Sequence, residues 1–284
     1  MMPHQALLAR HHYAIVDRFA LNPAAWHEAL PLRPLVPVQL QSDADKMPAL
    51  LPLGELSAPQ LVLLCDNLLA AEQGEADALL ACLLHIPGGD TDALVRHFSN
   101  HLLLRSPQGR ALLRYYDPRV FVHLTWLLNP DQLADLFGPT TQWTCLLKHQ
   151  WVSIPRPVAA ESCQYWGASR QQRVQLDQVG LINAVLANWL APASPAWADL
   201  SAFVPLARQV EAALSTAQQR YGLQDAADLA EFAVQALRHG ASFHLHDLIQ
   251  RVLARVNTGA TTYADACALI EPHQWAAIAG HAQH

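Results

Sequence analysis

The spacing of apolar residues changes along the chain. In the first part, short apolar runs alternate with turn signals, and residues 13–16 form the first run that we predict as a strand. Beyond residue 170, apolar residues recur every three or four positions, for example at Phe203, Val210 and Leu214. This spacing is typical of amphipathic helices. The pattern therefore predicts strands mixed with helices first and helices alone afterwards.

Several further elements of the first part are predicted from its apolar runs. A continuous run suits a strand that is buried on both faces, and residues 61–65 are such a run. Other extended segments are predicted at residues 36–40 and 142–152, a short helix at 22–30, a helix at 90–101 and a loop at 43–54. Residues 80–86 fit a strand, but residues 77–84 fit a helix, and periodicity does not separate the two.

The strongest local signals lie in residues 102–139. Ser106-Pro107-Gln108-Gly109 predicts a turn with a four-residue loop between two strands. Asp117-Pro118 predicts a helix N-cap followed by proline at the first helical position, and Asn129-Pro130 repeats this start. Gly138-Pro139 ends the second helix. The stretch therefore predicts strand, turn, strand, helix and helix.

Two runs in this stretch carry a family resemblance. RYYDPRVF at residues 114–121 and LNPDQLADLFGP at residues 128–139 resemble the signature of the type VI secretion effector adaptors. HYAIVD at residues 12–17 is similar to the opening strand of that family. Leu136 departs from the pattern, since an aromatic residue is common there. The resemblance covers residues 12–139.

The resemblance implies a function without chemistry. A family member is a non-enzymatic chaperone of the cytoplasm that binds an effector toxin and loads it onto a spike (VgrG-type) protein. The implied partners are the N-terminal region of the effector and the C-terminal region of the spike, and no cofactor is implied. The alternative is a hydrolase or metal-dependent enzyme whose catalytic groups no motif announces. A third possibility is a scaffold component of the same machine.

The expected fold class is α+β, with a mixed α/β lobe around a central sheet followed by an all-α lobe. The sheet is expected to be mixed, with both parallel and antiparallel pairs. We predict an adaptor-signature domain at residues 1–155, a connection at 156–169 and a bundle of about five helices at 170–284. In this bundle Gly222 is predicted to end the second helix, Asp225 to cap the third and Thr262 to start the fifth. As the resemblance implies, the first lobe carries the shared fold. Effector discrimination is assigned mainly to the helical lobe.

Composition narrows the classes of partner. Apolar residues make up 52% of the chain and charged residues 15%, against about 25% in ordinary globular proteins. Such a chain either buries much surface within itself or keeps apolar surface for a partner. The net charge is −6, whereas nucleic-acid-binding proteins usually carry a basic surface patch. A nucleic-acid partner is therefore not expected.

The cysteines, and the lack of an apolar run typical of a signal peptide or a membrane span, indicate the cellular compartment. The five cysteines form no C-x-x-C pair and are interpreted as core residues in a reducing compartment: Cys65, Cys82, Cys145, Cys163 and Cys267. The first residues lack the apolar run of a signal peptide. Prolines and asparagines interrupt the uncharged stretch 182–198, so no membrane insertion is expected. These features predict a cytoplasmic protein.

Candidate catalytic groups are weak. His97 and His101 lie four residues apart on a predicted helix, but no third ligand stands at a recognisable spacing, so no metal site is expected. A G-x-S-x-G elbow and a glycine-rich phosphate loop are both missing from the sequence. The chain is therefore expected not to be an enzyme.

Six residues are the candidates for partner binding. Arg114, Tyr116 and Arg119 could present a ligand surface at the sheet edge, although Asp117 and a neighbouring arginine could equally form a purely structural cap and ion pair. The other three are tryptophans: Trp166, Trp189 and Trp197. Aromatic residues at helical spacing usually belong to a core, whereas Trp197 follows a predicted loop and is the better interface candidate.

Overall fold

The computed structural model describes residues 3–18, 29–159, 161 and 166–281. It divides into two compact units, Met1–Val174 and Gln175–His284. The predicted α+β class is confirmed, because the first unit contains the sheet and the described part of the second unit is helical. The predicted domain boundaries stay a prediction, since compactness does not show that either part folds alone. Within the described residues, no helix combines the length and apolar character that a membrane crossing requires.

The first unit combines eight described strands with five helices. In chain order these are α1 Pro3–Ala9, β1 Tyr13–Val16, β2 Arg33–Pro34, β3 Ala49–Pro52, α2 Ala58–Glu72, β4 Leu80–His85, α3 Thr91–His101, β5 Leu103–Ser106, β6 Gly109–Leu112, α4 Pro118–Leu127, α5 Pro130–Phe137, β7 Gln142–Leu147 and β8 Gln150–Pro155. Short 3-10 segments cover Val38–Lys46 and Leu53–Glu55.

Six of these strands form one sheet in the order β2-β3-β1-β4-β7-β8. The expected mixed sheet is wrong, because every pair described in it is antiparallel. β1 lies between β3 and β4, so the helical connection from β3 through α2 to β4 skips one strand. β3 and β4 therefore run parallel to each other without pairing.

The predicted strand at residues 61–65 is wrong, because this run lies inside α2. The Ser57 N–H donates to Gln60 Oε1 at 2.9 Å, and Pro59 stands in the first turn, so a capping box starts a helix here. Leu64 and Leu68, four residues apart, are fully buried on the inner face. A continuous apolar run is compatible with a buried strand or with a buried helix, and the capping box before it favours the helix.

Residues 36–54 also differ from the prediction. The predicted strand at 36–40 passes into the 3-10 segment, and the predicted loop at 43–54 contains β3, which is buried along its whole length. Pro52 is tolerated because it stands at the last position of β3, opposite Tyr13. The predicted helix at 22–30 lies largely outside the described residues.

The remaining predictions for the first unit are confirmed in outline. Leu80–His85 form β4, so the strand alternative for residues 80–86 is correct. Residues 142–152 belong to the hairpin β7–β8, whose turn is made by Lys148 and His149 with φ of 48° and 65°. The hairpin β5–β6 forms a separate two-stranded sheet, and its second strand ends at Leu112.

The signature runs supply the aromatic core of the first unit. Trp143 on β7 is fully buried and stacks on Phe121 of α4 with ring centroids 4.4 Å apart. Tyr115 and Phe137 meet the same indole edge-on at 6.0 and 5.8 Å. The Tyr115 hydroxyl donates to the Phe98 carbonyl at 2.8 Å, which satisfies a buried polar group. Much of the signature thus specifies packing.

The second unit consists of helices joined by short connections. The helices are α6 Arg170–Trp189, which begins in the first unit, α7 Leu200–Tyr221, α8 Ala226–His239, α9 Asp247–Asn257, α10 Tyr263–Ala268 and α11 Pro272–His281. The predicted stop at Gly222 is confirmed by its φ of 69°, and the predicted caps Asp225 and Thr262 accept backbone N–H groups. The predicted fifth helix is divided into α10 and α11.

Candidate functional site

An open cleft of about 460 Å³ lies beside the RYYDPR run of the first unit. Its walls come from the residues after α2, the start of β4, the end of β7, the β7–β8 turn and the start of α4. The ionisable side chains that line it are Asp17, Asp77, Arg114, Asp117, Arg119, Lys148 and His149. The cleft thus gathers opposite charges from segments that are distant in sequence.

Asp117 organises one side of the cleft. Its Oδ1 accepts the Arg119 backbone N–H and Nε–H, both at 3.0 Å, and its Oδ2 accepts from Arg119 Nη2 at 2.8 Å. Pro118 occupies the first helical position, as predicted. The carboxylate therefore caps α4 and holds the Arg119 guanidinium at the same time, so the structural interpretation of Asp117 is correct.

Arg114 occupies the opposite side of the same carboxylate. Its Nη2 donates to Asp17 Oδ2 at 2.6 Å and lies 3.7 Å from Asp117 Oδ2. The guanidinium carbon is 5.7 Å from the centroid of the Tyr116 ring. Tyr116 itself is 2% exposed, and burial raises its pKa to about 12. Tyr116 therefore packs against Arg114 from inside the protein. The expectation that Tyr116 lies in a binding surface is corrected, because its side chain does not reach the surface.

Arg119 is the most accessible member of the motif. Its side chain is 64% exposed, against 41% for Arg114 and 8% for Asp117. A guanidinium is a planar group with several N–H donors, and here a buried carboxylate orients it at an exposed position. The cleft suits contact with a polar protein surface, because its acids and bases largely balance each other.

The three tryptophan candidates lie elsewhere. Trp166 is half-buried in the first unit and lines a different pocket. Trp189 is 37% exposed at the end of α6. Trp197 is 1% exposed, and its Nε1–H donates to the Ala191 carbonyl at 3.1 Å. The expectation that Trp197 lies at an interface is wrong, because the 3-10 turn Pro195–Trp197 directs its ring into the core of the second unit.

The two histidines that were considered as metal ligands serve packing instead. His97 Nε2 donates to the Leu136 carbonyl at 3.1 Å. His101 Nδ1 lies 2.8 Å from the His97 carbonyl, and its Nε2 lies 3.0 Å from Asp135 Oδ2. Both histidines therefore connect α3 to α5. The described ranges contain no group of three His, Cys, Asp or Glu side chains placed to hold a metal ion.

The described cysteines are poorly suited to nucleophilic chemistry. Cys65, Cys82, Cys145 and Cys267 are buried free thiols, whereas Cys163 lies outside the described residues. Burial raises the pKa of Cys145 and that of Cys267 to about 12. Each of those two thiols is protonated at neutral pH and is inaccessible to a substrate.

The sequence analysis did not identify four of the seven ionisable residues that line the cleft. Asp17, Asp77, Lys148 and His149 were not proposed as site residues, although Asp17 closes the HYAIVD run and so carried a signal. For the other three no local signal exists. They reach the cleft only because the end of α2 and the β7–β8 turn meet beside β4, where His149 Nδ1 donates to the Ala71 carbonyl at 2.9 Å.

Comparison with protein families gives one match. Residues 12–135 match the family described as "Domain of unknown function (DUF4123)". This range lies inside the first unit and contains both sides of the Asp117 ion-pair cluster. The comparison with curated proteins found no match, and the comparison with solved structures found none.

Proposed function

We propose that the chain is a non-enzymatic adaptor that binds a type VI secretion effector and loads it onto a VgrG-type spike protein. One observation carries the proposal: the matched range 12–135 contains the RYYDPR run and most of the second signature run. The matched family is associated with type VI secretion effector adaptors. The proposed partners are the N-terminal region of the effector and the C-terminal region of the spike, and the proposed compartment is the cytoplasm.

The surface chemistry supports binding. Large apolar side chains stand exposed on both units, with Val158 at 92%, Val38 at 80% and Leu269 at 77%. Scattered exposed apolar residues are ordinary by themselves, but here they accompany a charged share of only 15%. A surface so poor in charge suits a protein that covers the apolar surface of a partner.

The two units offer different surfaces for the two partners. In the first unit, Arg119 projects from the cleft with its guanidinium already oriented by Asp117. In the second unit, Trp189, Leu245 and Leu269 are exposed, and an aromatic anchor of this kind is typical of binding hot spots. We assign effector discrimination to the second unit, and we assign a contact shared by the whole family to the cleft of the first unit.

Affinity purification tests this function directly. The tagged full-length chain is purified from host cells shown to express the secretion machinery, and its partners are identified by mass spectrometry. The adaptor role predicts recovery of one large toxin-like protein together with a spike protein. If the tagged chain is recovered from such cells without any partner, the result would contradict the adaptor role and would favour the enzyme alternative.

Single substitutions with a matched control test which surface binds which partner. Arg119→Ala is expected to lose a partner with little change in melting temperature, because its side chain is 64% exposed. Arg33→Ala is the control, since this arginine is also exposed and paired, but lies outside the cleft. Trp189→Ala is expected to reduce effector recovery selectively. Full recovery with both Arg119→Ala and Trp189→Ala would contradict the surface assignment.

A further inference from the structure

A second pocket, of about 370 Å³, lies in the first unit beside the β5–β6 hairpin. Its lining residues are Pro37, Gln39, Asn100, His101, Leu103, Arg105, Arg110 and Trp166. None of the described residues that line it carries a carboxylate, whereas guanidinium, indole and amide groups are present. The permanently charged groups of this lining are therefore the two guanidinium groups, which are hydrogen-bond donors.

Two arginines face each other across the hairpin. Arg105 on β5 is directly opposite Arg110 on β6, so both side chains project from the same face. Like charges in this arrangement repel each other and destabilise the pair. Both arginines are exposed, and neither guanidinium has a carboxylate partner among the described residues. An anion bound between them would remove the repulsion.

Trp166 lines the pocket beside the two arginines. Gly167 bridges to Arg105, and the Ala168 N–H donates to the Arg105 carbonyl at 2.7 Å, which fixes the indole beside the arginines. The Trp166 ring lies 4.5 Å from that of His101. The indole Nε1–H is buried and has no acceptor among the described residues. Because this N–H is inaccessible to solvent, Trp166 serves as a wall of the pocket.

We propose that this pocket binds the carboxylate of an acidic side chain in a partner peptide. Two guanidinium forks match the planar oxygens of a carboxylate. Pro37 and Leu103 provide apolar walls for the methylene groups of a glutamate. The proposal goes beyond the adaptor role, and free peptides test it without any effector or spike protein.

Nuclear magnetic resonance of the labelled full-length chain reports on binding at this pocket through Trp166. The indole N–H resonance of Trp166 is assigned through Trp166→Phe and is followed during titration with acetyl-Gly-Glu-Glu-Gly-amide. The Gln-Gln peptide of the same length is the uncharged probe. We expect a saturable shift with the glutamate peptide, binding at least about tenfold weaker with the glutamine peptide, and weakening by added salt.

Variants test the arginine pair. Arg105→Gln and Arg110→Gln are each expected to weaken binding of the glutamate peptide about tenfold or more, since each removes a charge-assisted bond. Arg96→Gln is the control, because Arg96 is an exposed arginine on α3 that does not line this pocket. The proposal is overturned by equal shifts with both peptides, by an absent shift, or by a shift that only inorganic phosphate produces.

Discussion

Arg114 and Asp17 are 97 positions apart in the chain, yet Arg114 Nη2 lies 2.6 Å from Asp17 Oδ2. The contact joins the residue after β1 to the RYYDPR run. Asp17 is 14% exposed, so the pair is partly shielded from solvent. The two parts of the sequence that carry the family resemblance therefore meet physically at the edge of the cleft.

Removing the charge of Asp17 should destabilise the first unit. Asp17→Asn keeps the size of the side chain but replaces the charge-assisted bond with a neutral one. Because Arg114 is 41% exposed, we expect a decrease of about 0.5–1.5 kcal/mol in the free energy of unfolding. Urea denaturation measures this. Glu55→Gln in the exposed Arg33 pair is the control and should cost less than about 0.5 kcal/mol; equal effects would contradict the shielding.

Gly138 is required where α5 ends. Its φ is 54° and its ψ is −122°, a conformation that essentially only glycine adopts, and an added Cβ would lie 2.5 Å from His97 Nε2. We expect Gly138→Ala to lower the free energy of unfolding by about 1–3 kcal/mol, as measured by urea denaturation. Gly54→Ala is the control, because no atom lies within 4 Å of its built Cβ. Similar small effects at both positions would show that the α5 terminus adapts.

Stability should depend on pH through His97. Burial, followed by the neighbouring His101, lowers its pKa from 6.5 to about 4. The unfolded chain therefore binds more protons than the folded chain between these two pH values, so stability is lost as the pH falls from 6.5 towards 4. The full loss is at most about 3 kcal/mol.

Urea denaturation at several pH values measures this dependence. His97→Gln keeps an amide donor for the Leu136 carbonyl but does not titrate, so its stability should fall less steeply below pH 6.5. His273→Gln, at an exposed position, should keep the wild-type slope. Burial also lowers the pKa of His11, and that contribution is shared by all three proteins. An unchanged slope in His97→Gln would refute the assignment.

The two tryptophans of the second unit should differ in their effect on stability. Trp197 is 1% exposed and packs near Phe203, so Trp197→Ala should cost about 3–5 kcal/mol. Trp189 is 37% exposed, and Trp189→Ala should cost less than about 1 kcal/mol. Thermal and urea unfolding followed by circular dichroism compare the two. Equal losses would place Trp189 in the core as well.

The sequence by itself determined the ends of many elements. Asp117, Asn129, Gly138, Asp225 and Thr262 were identified as caps or stops, and each has that role in the structure. These predictions succeed because a cap depends on backbone groups within three or four residues of it. The helices of the second unit were predicted because the three- to four-residue spacing of their apolar side chains is also a local property of the sequence.

Only the tertiary structure decided the other questions. β3 lies in a segment that was predicted as a loop because of its prolines, and its partner strand β1 lies far away in sequence. Burial of Tyr116 and Trp197, the Asp17–Arg114 pair and the facing arginines 105 and 110 depend likewise on long-range packing and strand register. A single chain encodes local hydrogen bonds directly, whereas contacts between distant segments emerge only when all of them pack together.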